Sequence, residues 1–369
     1  MLRRATLRGA GVLGTASACA AYVYRPQPWS KPPRDVLSER SDEDEGILMK
    51  SARMMTFIAG TAAFSFLMHV LNSFEVKRDE HYAALVEHVG ARPKGVPLLT
   101  VSNHASPVDD PGVLVAMLPA YMAVQPQLMR WTICAEEICF KYQAGAAMFG
   151  SAKVVLPIAR GEGIDQRKLL NFYRRLLSGA WCHIFPEGHC EQDGALGGRE
   201  PGPPREELGR LKWGVGKLIA HSAVPPVVIP IFHTGMAHVV PINPLTRKIL
   251  HAMPRVGKKV TARVGRAIDF GDLLEEHVRQ HGHLRKFGIS PSSPREETDG
   301  GIVIPRGEAG DVIWRSTAEE RVLYNKIARR IEEALLELEA AARRDLGGKY
   351  PGEPAERAAI LSEPGRIGR

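Results

Sequence analysis

The chain has 369 residues, 44% of them hydrophobic and 24% charged, which are the proportions of a globular protein able to bury a substantial core. Its net charge of +8 is concentrated at one end: residues 1–34 hold Arg3, Arg4, Arg8, Arg25, Lys31 and Arg34 with no acid, so the nearly balanced main body makes no case for nucleic-acid binding. The five cysteines (Cys19, Cys134, Cys139, Cys182 and Cys190) are scattered, odd in number and without C-x-x-C spacing, and neither a disulfide framework nor a zinc site is expected from them.

Residues 1–34 read as a targeting presequence. Arg-rich, acid-free and holding Ser and Thr, they fit a mitochondrial address; a secretory signal is the rival, because 9–24 is apolar with small residues at Ala16, Ala18 and Ala20. Residues 35–46 form an acidic linker. In 47–74 the stretch 54–68 is uncharged, but fifteen residues fall short of the roughly 20 that span a bilayer as a helix. A monotopic segment lying in the membrane interface fits that length, with a buried soluble helix as the alternative.

Residues 75–276 read as one α/β domain, a mixed central sheet flanked by helices. Helical spacing over 75–89 leads into a short β-rich apolar run at 96–101. The turn Ser102-Asn103-His104-Ala105-Ser106-Pro107-Val108-Asp109-Asp110-Pro111 follows, and 112–118 reads as a helix body. On a continuous helix, residues five apart point about 140° away from each other. His104 and Asp109 therefore meet only if His104 precedes the helix and Asp109 lies in its first turn, with Ser106 as N-cap and Pro107 at the first helical position. A histidine held at one nitrogen by a carboxylate keeps the other for proton transfer. Two plainer readings stand beside this one: Ser106-x-x-Asp109 is close to a capping box, and His104 is an ordinary turn residue.

Further strands are expected at 129–133, 153–158, 180–185, 227–232 and 259–265, and a helix at 165–177. The strand at 153–158 ends in Arg160-Gly161, a cation able to grip a phosphate beside a glycine that admits a ligand; a surface turn is the alternative. Glu187 stands on a Pro-Glu-Gly turn where it is placed to accept hydrogen bonds from substrate hydroxyls, or simply to be a turn acid. His183, inside its strand, reads as a satisfied core histidine. The G-x-G at Gly214 and Gly216 lacks the third glycine and the preceding strand of a dinucleotide site, so no such cofactor is expected. Residues 277–315 read as a polar insertion, 316–346 as an amphipathic helix with Val322, Ile327, Ile331, Leu335 and Leu338 near one face, and 347–369 as a tail.

His104-x4-Asp109, Arg160-Gly161, Phe185-Pro186-Glu187-Gly188 and the Ile229-Pro230 strand follow one another at intervals of roughly 25 to 55 residues. This ordered set resembles the glycerolipid acyltransferase superfamily. Over about residues 47–270 the blocks at 100–111, 130–140, 183–189, 211–220 and 229–236 are similar to its mitochondrial phospholipid–lysophospholipid transacylases. The resemblance implies that His104 is a general base oriented by Asp109. It further implies that Arg160 with Gly161 binds phosphate, that Glu187 with Gly188 holds the glycerol portion, and that Pro230 belongs to the substrate-binding set. It also implies a CoA-independent exchange of acyl chains between phospholipid and lysophospholipid, most directly from phospholipid to monolysocardiolipin. No metal and no diffusible cofactor are implied, and the expected setting is an anionic, cardiolipin-bearing inner mitochondrial membrane on its intermembrane-space side, with the outer membrane as the alternative. An acyl-CoA-dependent lysophospholipid acyltransferase and a non-catalytic membrane scaffold are the competing readings; oligomeric state is left open. One departure stands out: the Gly/Pro-rich, charged segment 191–207 is longer than the pattern of these relatives.

Overall fold

The computed structural model describes residues 47–123, 125, 128–140, 155–192, 196, 210–243, 248–251, 253–286 and 316–347. The expected presequence and acidic linker, most of 191–207, most of the insertion and the tail lie outside the described residues.

In chain order the elements are α1 (Ile47–His69), β1 (Ser73–Val76), α2 (Glu80–Ala91), β2 (Leu98–Ser102), a π-helical turn (Asp110–Leu114) running into α3 (Val115–Met117), α4 (Ala120–Ala123) and β3 (Trp131–Ala135). They continue with α5 (Glu136–Cys139), β4 (Val155–Ile158), α6 (Arg167–Leu177), β5 (Trp181–Ile184), α7 (Gly214–His221), β6 (Val227–Thr234), α8 (Met236–Val239), β7 (Lys259–Val264), α9 (Gly271–His281) and α10 (Ala318–Asp345).

The seven strands form one sheet in the order β1-β7-β6-β2-β5-β3-β4. Every neighbouring pair is parallel except β6 with β7, so the sheet is mixed, as expected. Strands covered on both faces read as unbroken apolar runs, and β2 is buried at all five residues. Alternation divides it between two cores. Leu99 and Val101 join Cys182, Ile184, Phe172, Leu176, Leu218, Ile327 and Ile331 under α6, α7 and α10. Leu98 joins Trp181, Ile229, Ile231, Val260, Met68, Leu85 and Val113 under α1, α2 and the turn after β2.

The structure departs from the expected elements at four places. Residues 73–76 pair with β7 instead of opening a helix, so the helix starts at Glu80, where Asp79 caps the Tyr82 N–H at 3.1 Å. A boundary between anchor and domain at 74/75 would cut that strand. α9 runs on to His281, so the first five residues assigned to the insertion are helical. In α10, opened by a full capping box between Thr317 and Glu320, Leu323 is buried while Val322 is 58% exposed. Finally, Cys134 and Cys139 form one local disulfide, whereas Cys182 and Cys190 belong to none. The short corner from β3 into α5 brings two cysteines together that their spacing alone did not pair.

The G-x-G in α7 has a packing role. A Cβ on Gly216 would stand 2.4 Å from the Tyr324 carbonyl oxygen, so a glycine there lets α7 and α10 touch. α1 is divided along its length. Phe57 and Met68 are buried, and the His69 Nε2 contacts the Ala116 carbonyl at 3.1 Å, tying the helix end to α3. Its outward side presents Met54, Met55, Ile58 and Phe66, all exposed. No described helix is long and apolar enough to cross a membrane.

Candidate active site

Because β2, β5, β3, β4 and β6 are parallel, their carboxyl ends share one edge of the sheet. That edge is where open α/β sheets bind ligands. His104, Glu187 and Arg160 follow β2, β5 and β4 there, and His233 lies at the end of β6.

The turn after β2 is organised by one carboxylate oxygen. Asp109 Oδ2 accepts from the backbone N–H of Ala105 at 2.6 Å, from that of Ser106 at 2.7 Å and from His104 Nδ1 at 3.0 Å. The capping role and the orienting role are therefore both filled by the same atom, with Asp109 1% exposed. Ser106 Oγ accepts from the Val108 N–H at 3.4 Å, the weaker half of the cap. With Nδ1–H given to a carboxylate, His104 has Nε2 as its proton acceptor.

His104 is also clamped through its main chain. Its N–H donates to Glu187 Oε1 at 2.7 Å, its carbonyl accepts from the Glu191 N–H at 2.7 Å, and its ring stacks on Phe185 with centroids 4.1 Å apart. Gln192 adds a second tie, donating to the carbonyls of Ala105 at 2.7 Å and Val240 at 3.0 Å. Cys190, between them, places its sulfur 3.2 Å from His104 Nε2. Glu187 is 1% exposed, and its carboxylate is turned to the His104 turn and not outward to solvent. Gly188 has φ +76, a left-handed conformation that favours glycine; a Cβ there would also push aside the end of the Lys212 side chain.

Behind the turn, Asn103 locks β2 to β6: its side chain donates to the His233 carbonyl at 2.9 Å and accepts from the His233 N–H at 3.0 Å. His233 Nε2 in turn donates to the Asn103 carbonyl at 3.0 Å and stands 3.6 Å from Asp109 Oδ2. Burial lowers the pKa of His233, with Asp109 opposing. Arg130 grips Asp110 in bidentate fashion, at 2.9 and 2.5 Å, and fixes the turn to β3. Beneath Phe185, His183 contacts Thr100 Oγ1 at 2.8 Å and Ser102 Oγ at 3.3 Å; burial pushes its pKa down to about 3, and it is the neutral core histidine expected.

Two expected residues stand apart from this cluster. Arg160 lies at the end of the edge strand β4, three strand spacings from β2, or about 14 Å. It is half exposed and pairs with Glu137 of α5 at 3.2 Å, and Gly161 after it has φ +87. Pro230 is buried inside β6 opposite Val101, three residues before His233, with its carbonyl accepting from the Gly265 N–H at 2.8 Å. It is a buried sheet position. The N–H that proline lacks cannot extend the β6–β7 ladder past the Ile231–Val264 pair, and β7 ends there. Phe185 aside, the residues that hold His104 from the β5 side (Cys190, Glu191 and Gln192), together with Asn103, Arg130 and His233, were not singled out by sequence spacing.

The Acyltransferase family matches residues 84–242. The chain is 33% identical to the N-acylphosphatidylethanolamine synthase of Arabidopsis thaliana over 286 residues, 77% of this chain and 91% of that protein. It is 36% identical to the tafazzin of Drosophila melanogaster over 191 residues, covering 52% of this chain and 45% of that protein. To the tafazzin of Saccharomyces cerevisiae it is 25% identical over 305 residues, covering 72% and 76%.

Proposed function

The chain belongs to the acyltransferase family as a tafazzin-like glycerolipid acyltransferase, and from that premise we propose that it moves fatty acyl chains between phospholipids and lysophospholipids without CoA, with His104 as general base. The observation that carries this reading is the saturated Oδ2 of Asp109, which fixes the His104 tautomer and directs Nε2 to the carboxyl edge of the sheet. Nε2 takes the proton of an acceptor hydroxyl, and the oxygen attacks the ester carbonyl of a donor lipid. The proton then passes to the departing glycerol oxygen. Exchange of one ester for another is nearly balanced in free energy, and the pair of lipids supplies every atom the step needs.

Arg160, about 14 Å along the same edge, takes the phosphate, with Gly161 admitting it. Glu187 and Gly188 shape the His104 turn that faces the glycerol portion. The exposed apolar side of α1 rests in the membrane interface, which places the edge of the sheet beside its substrates. The acceptor is monolysocardiolipin at the inner mitochondrial membrane.

The test is acyl transfer by purified protein in liposomes, with labelled monolysocardiolipin as acceptor and either phosphatidylcholine or acyl-CoA as sole donor. Transfer from phosphatidylcholine without CoA is expected. Transfer only from acyl-CoA would replace this reading with the CoA-dependent one, and none from either donor would leave a scaffold. A second reading has its own support, because this chain spans 91% of a relative named N-acylphosphatidylethanolamine synthase. There the acceptor is an amine, and the same base removes a proton from nitrogen. Label appearing on the phosphatidylethanolamine amine instead of on a lysolipid hydroxyl would select it.

A further inference from the structure

We propose that Cys190 is a second catalytic residue, an acyl carrier that His104 activates. The inference rests on the reading of His104 as a base. Cys190 Sγ lies 3.2 Å from His104 Nε2, and His104 Nδ1 lies 3.0 Å from Asp109 Oδ2. A nucleophile, a base within hydrogen-bond reach and a third group orienting that base are the arrangement by which thiols and hydroxyls are activated on many folds. The line is not a chance approach of a loose side chain. Glu187 and Glu191, on either side of Cys190, hold the His104 N–H and carbonyl at 2.7 Å each, and Phe185 holds the ring from the same segment. Cys190 is partly exposed and in no disulfide, so a lipid carbonyl has access to it. Cys182 supplies the contrast: it is fully buried in the core, and burial raises its thiol pKa.

The position of the thiol matters as much as its partner. It stands where an acceptor hydroxyl would have to come to reach Nε2, and an S–H gives up its proton far more readily than an alkyl O–H. In the first half-reaction the thiol proton passes to Nε2 and sulfur attacks the donor ester carbonyl. The C–O bond breaks, the glycerol oxygen takes the proton from Nε2, and a lysophospholipid leaves a thioester on Cys190. In the second, the acceptor hydroxyl gives its proton to Nε2 and attacks the thioester. The C–S bond breaks and the sulfur recovers the proton. One lipid at a time then suffices at the turn, and the first product leaves before the second substrate arrives.

The full-length protein is mixed with a p-nitrophenyl fatty ester, without acceptor, and followed by release of p-nitrophenol and by mass spectrometry after acid quenching. The expected result is a burst of one equivalent and one acyl group on the Cys190 peptide, removed by neutral hydroxylamine. His104→Ala should slow loading by about 100-fold or more. Cys190→Ala should abolish the burst and lower lipid-to-lipid transfer by a similar factor, with its thermal midpoint measured alongside; Cys190→Ser serves if the alanine variant does not fold. If His104→Ala is inactive while a folded Cys190 variant transfers at the wild-type rate, the base stands and the carrier is overturned. If His104→Ala retains transfer, the base reading falls as well. An adduct on any residue other than Cys190 also overturns the carrier.

Discussion

The carboxyl ends of β2 and β4 lie on one edge of one sheet but are built in opposite ways. At β2 every group is held more than once: Asp109 Oδ2 has three donors, and His104 is fixed at its ring, its N–H and its carbonyl. Buried polar groups there are dense, with Asn103, Asp109, His183, Glu187 and His233 all nearly inaccessible. At β4, Arg160 is half exposed and forms an ion pair with Glu137, which is itself 37% exposed. Under the proposed mechanism the contrast is that of bond-making and bond-holding. A base must sit within a fraction of an ångström of its productive position, and rigid packing supplies that. A cation gripping a headgroup works through a long-range field and a flexible stem, and tolerates a looser mount.

The sharpest way to break the contrast is to remove the base. His104→Ala should lower turnover by about 10²–10⁴-fold while vesicle binding stays unchanged, measured by acyl transfer and flotation. Asp109→Asn should do nearly as much, because a neutral amide oxygen in the place of Oδ2 is a weaker acceptor for the His104 Nδ1–H and the two backbone N–H groups, and it should destabilise the fold by about 1–3 kcal/mol because the amide nitrogen would take the buried, unpartnered place of Oδ1. Its denaturant midpoint should fall as well as its activity; a midpoint drop without loss of activity would leave only the capping role.

Acid should act next, on the buried histidines. His183 and His221 titrate near 3 and 4 in the folded chain because burial disfavours their charged forms, and His233 is lowered for the same reason. Their folded values lie below the unfolded one of about 6.5, so the unfolded state binds the extra protons. The stability they contribute is complete above pH 6.5 and is lost as pH falls toward 4, by roughly 1.4 kcal/mol per pH unit for His183 and for His221. Urea midpoints between pH 7 and 4.5 check this, and His183→Gln should flatten the slope.

Glu187→Ala should come third, destabilising by about 1–3 kcal/mol by orphaning the His104 N–H, and Glu187→Gln should recover much of the loss because its amide oxygen still accepts. Arg160→Ala should have the smallest effect on the fold, within about 1 kcal/mol, as expected for an exposed pair. Its signature is a several-fold rise in KM for phospholipid with kcat retained. A fall in kcat of the size seen for His104→Ala would mean that the two ends are not separate in function.

What could be read from the sequence follows the same division. Six strands and the meeting of His104 with Asp109 were legible because each is set by neighbours within a few residues. β1 was not, because Ser73, Phe74, Glu75 and Val76 run into a helical pattern and become a strand only by pairing with β7, nearly 190 residues later. Cys190, Glu191 and Gln192 reach the turn across more than 80 residues, and His233 across about 130, separations that no local spacing records. Glu187 was found but faced the other way, since its Pro-Glu-Gly turn fixes where the residue stands and not which donor its carboxylate meets. Pro230 was found and then proved to be interior.

α10 has a consequence for anyone who would excise or transplant the site. It lies beyond the stretch that matches the acyltransferase family, yet Leu323, Tyr324, Ile327, Ile331 and Leu335 fill one face of the sheet, and the Tyr324 main chain presses directly on Gly216 of α7. β1 and β7 also fall outside residues 84–242. A fragment trimmed to the matching stretch would strip the long edge of β6 bare, open one core to water and invite edge-to-edge aggregation. The stretch that matches the family is thus shorter than the packed unit around the turn, and a transplant must carry 47–347, because α1 also packs Met68 into the core and ties His69 to α3.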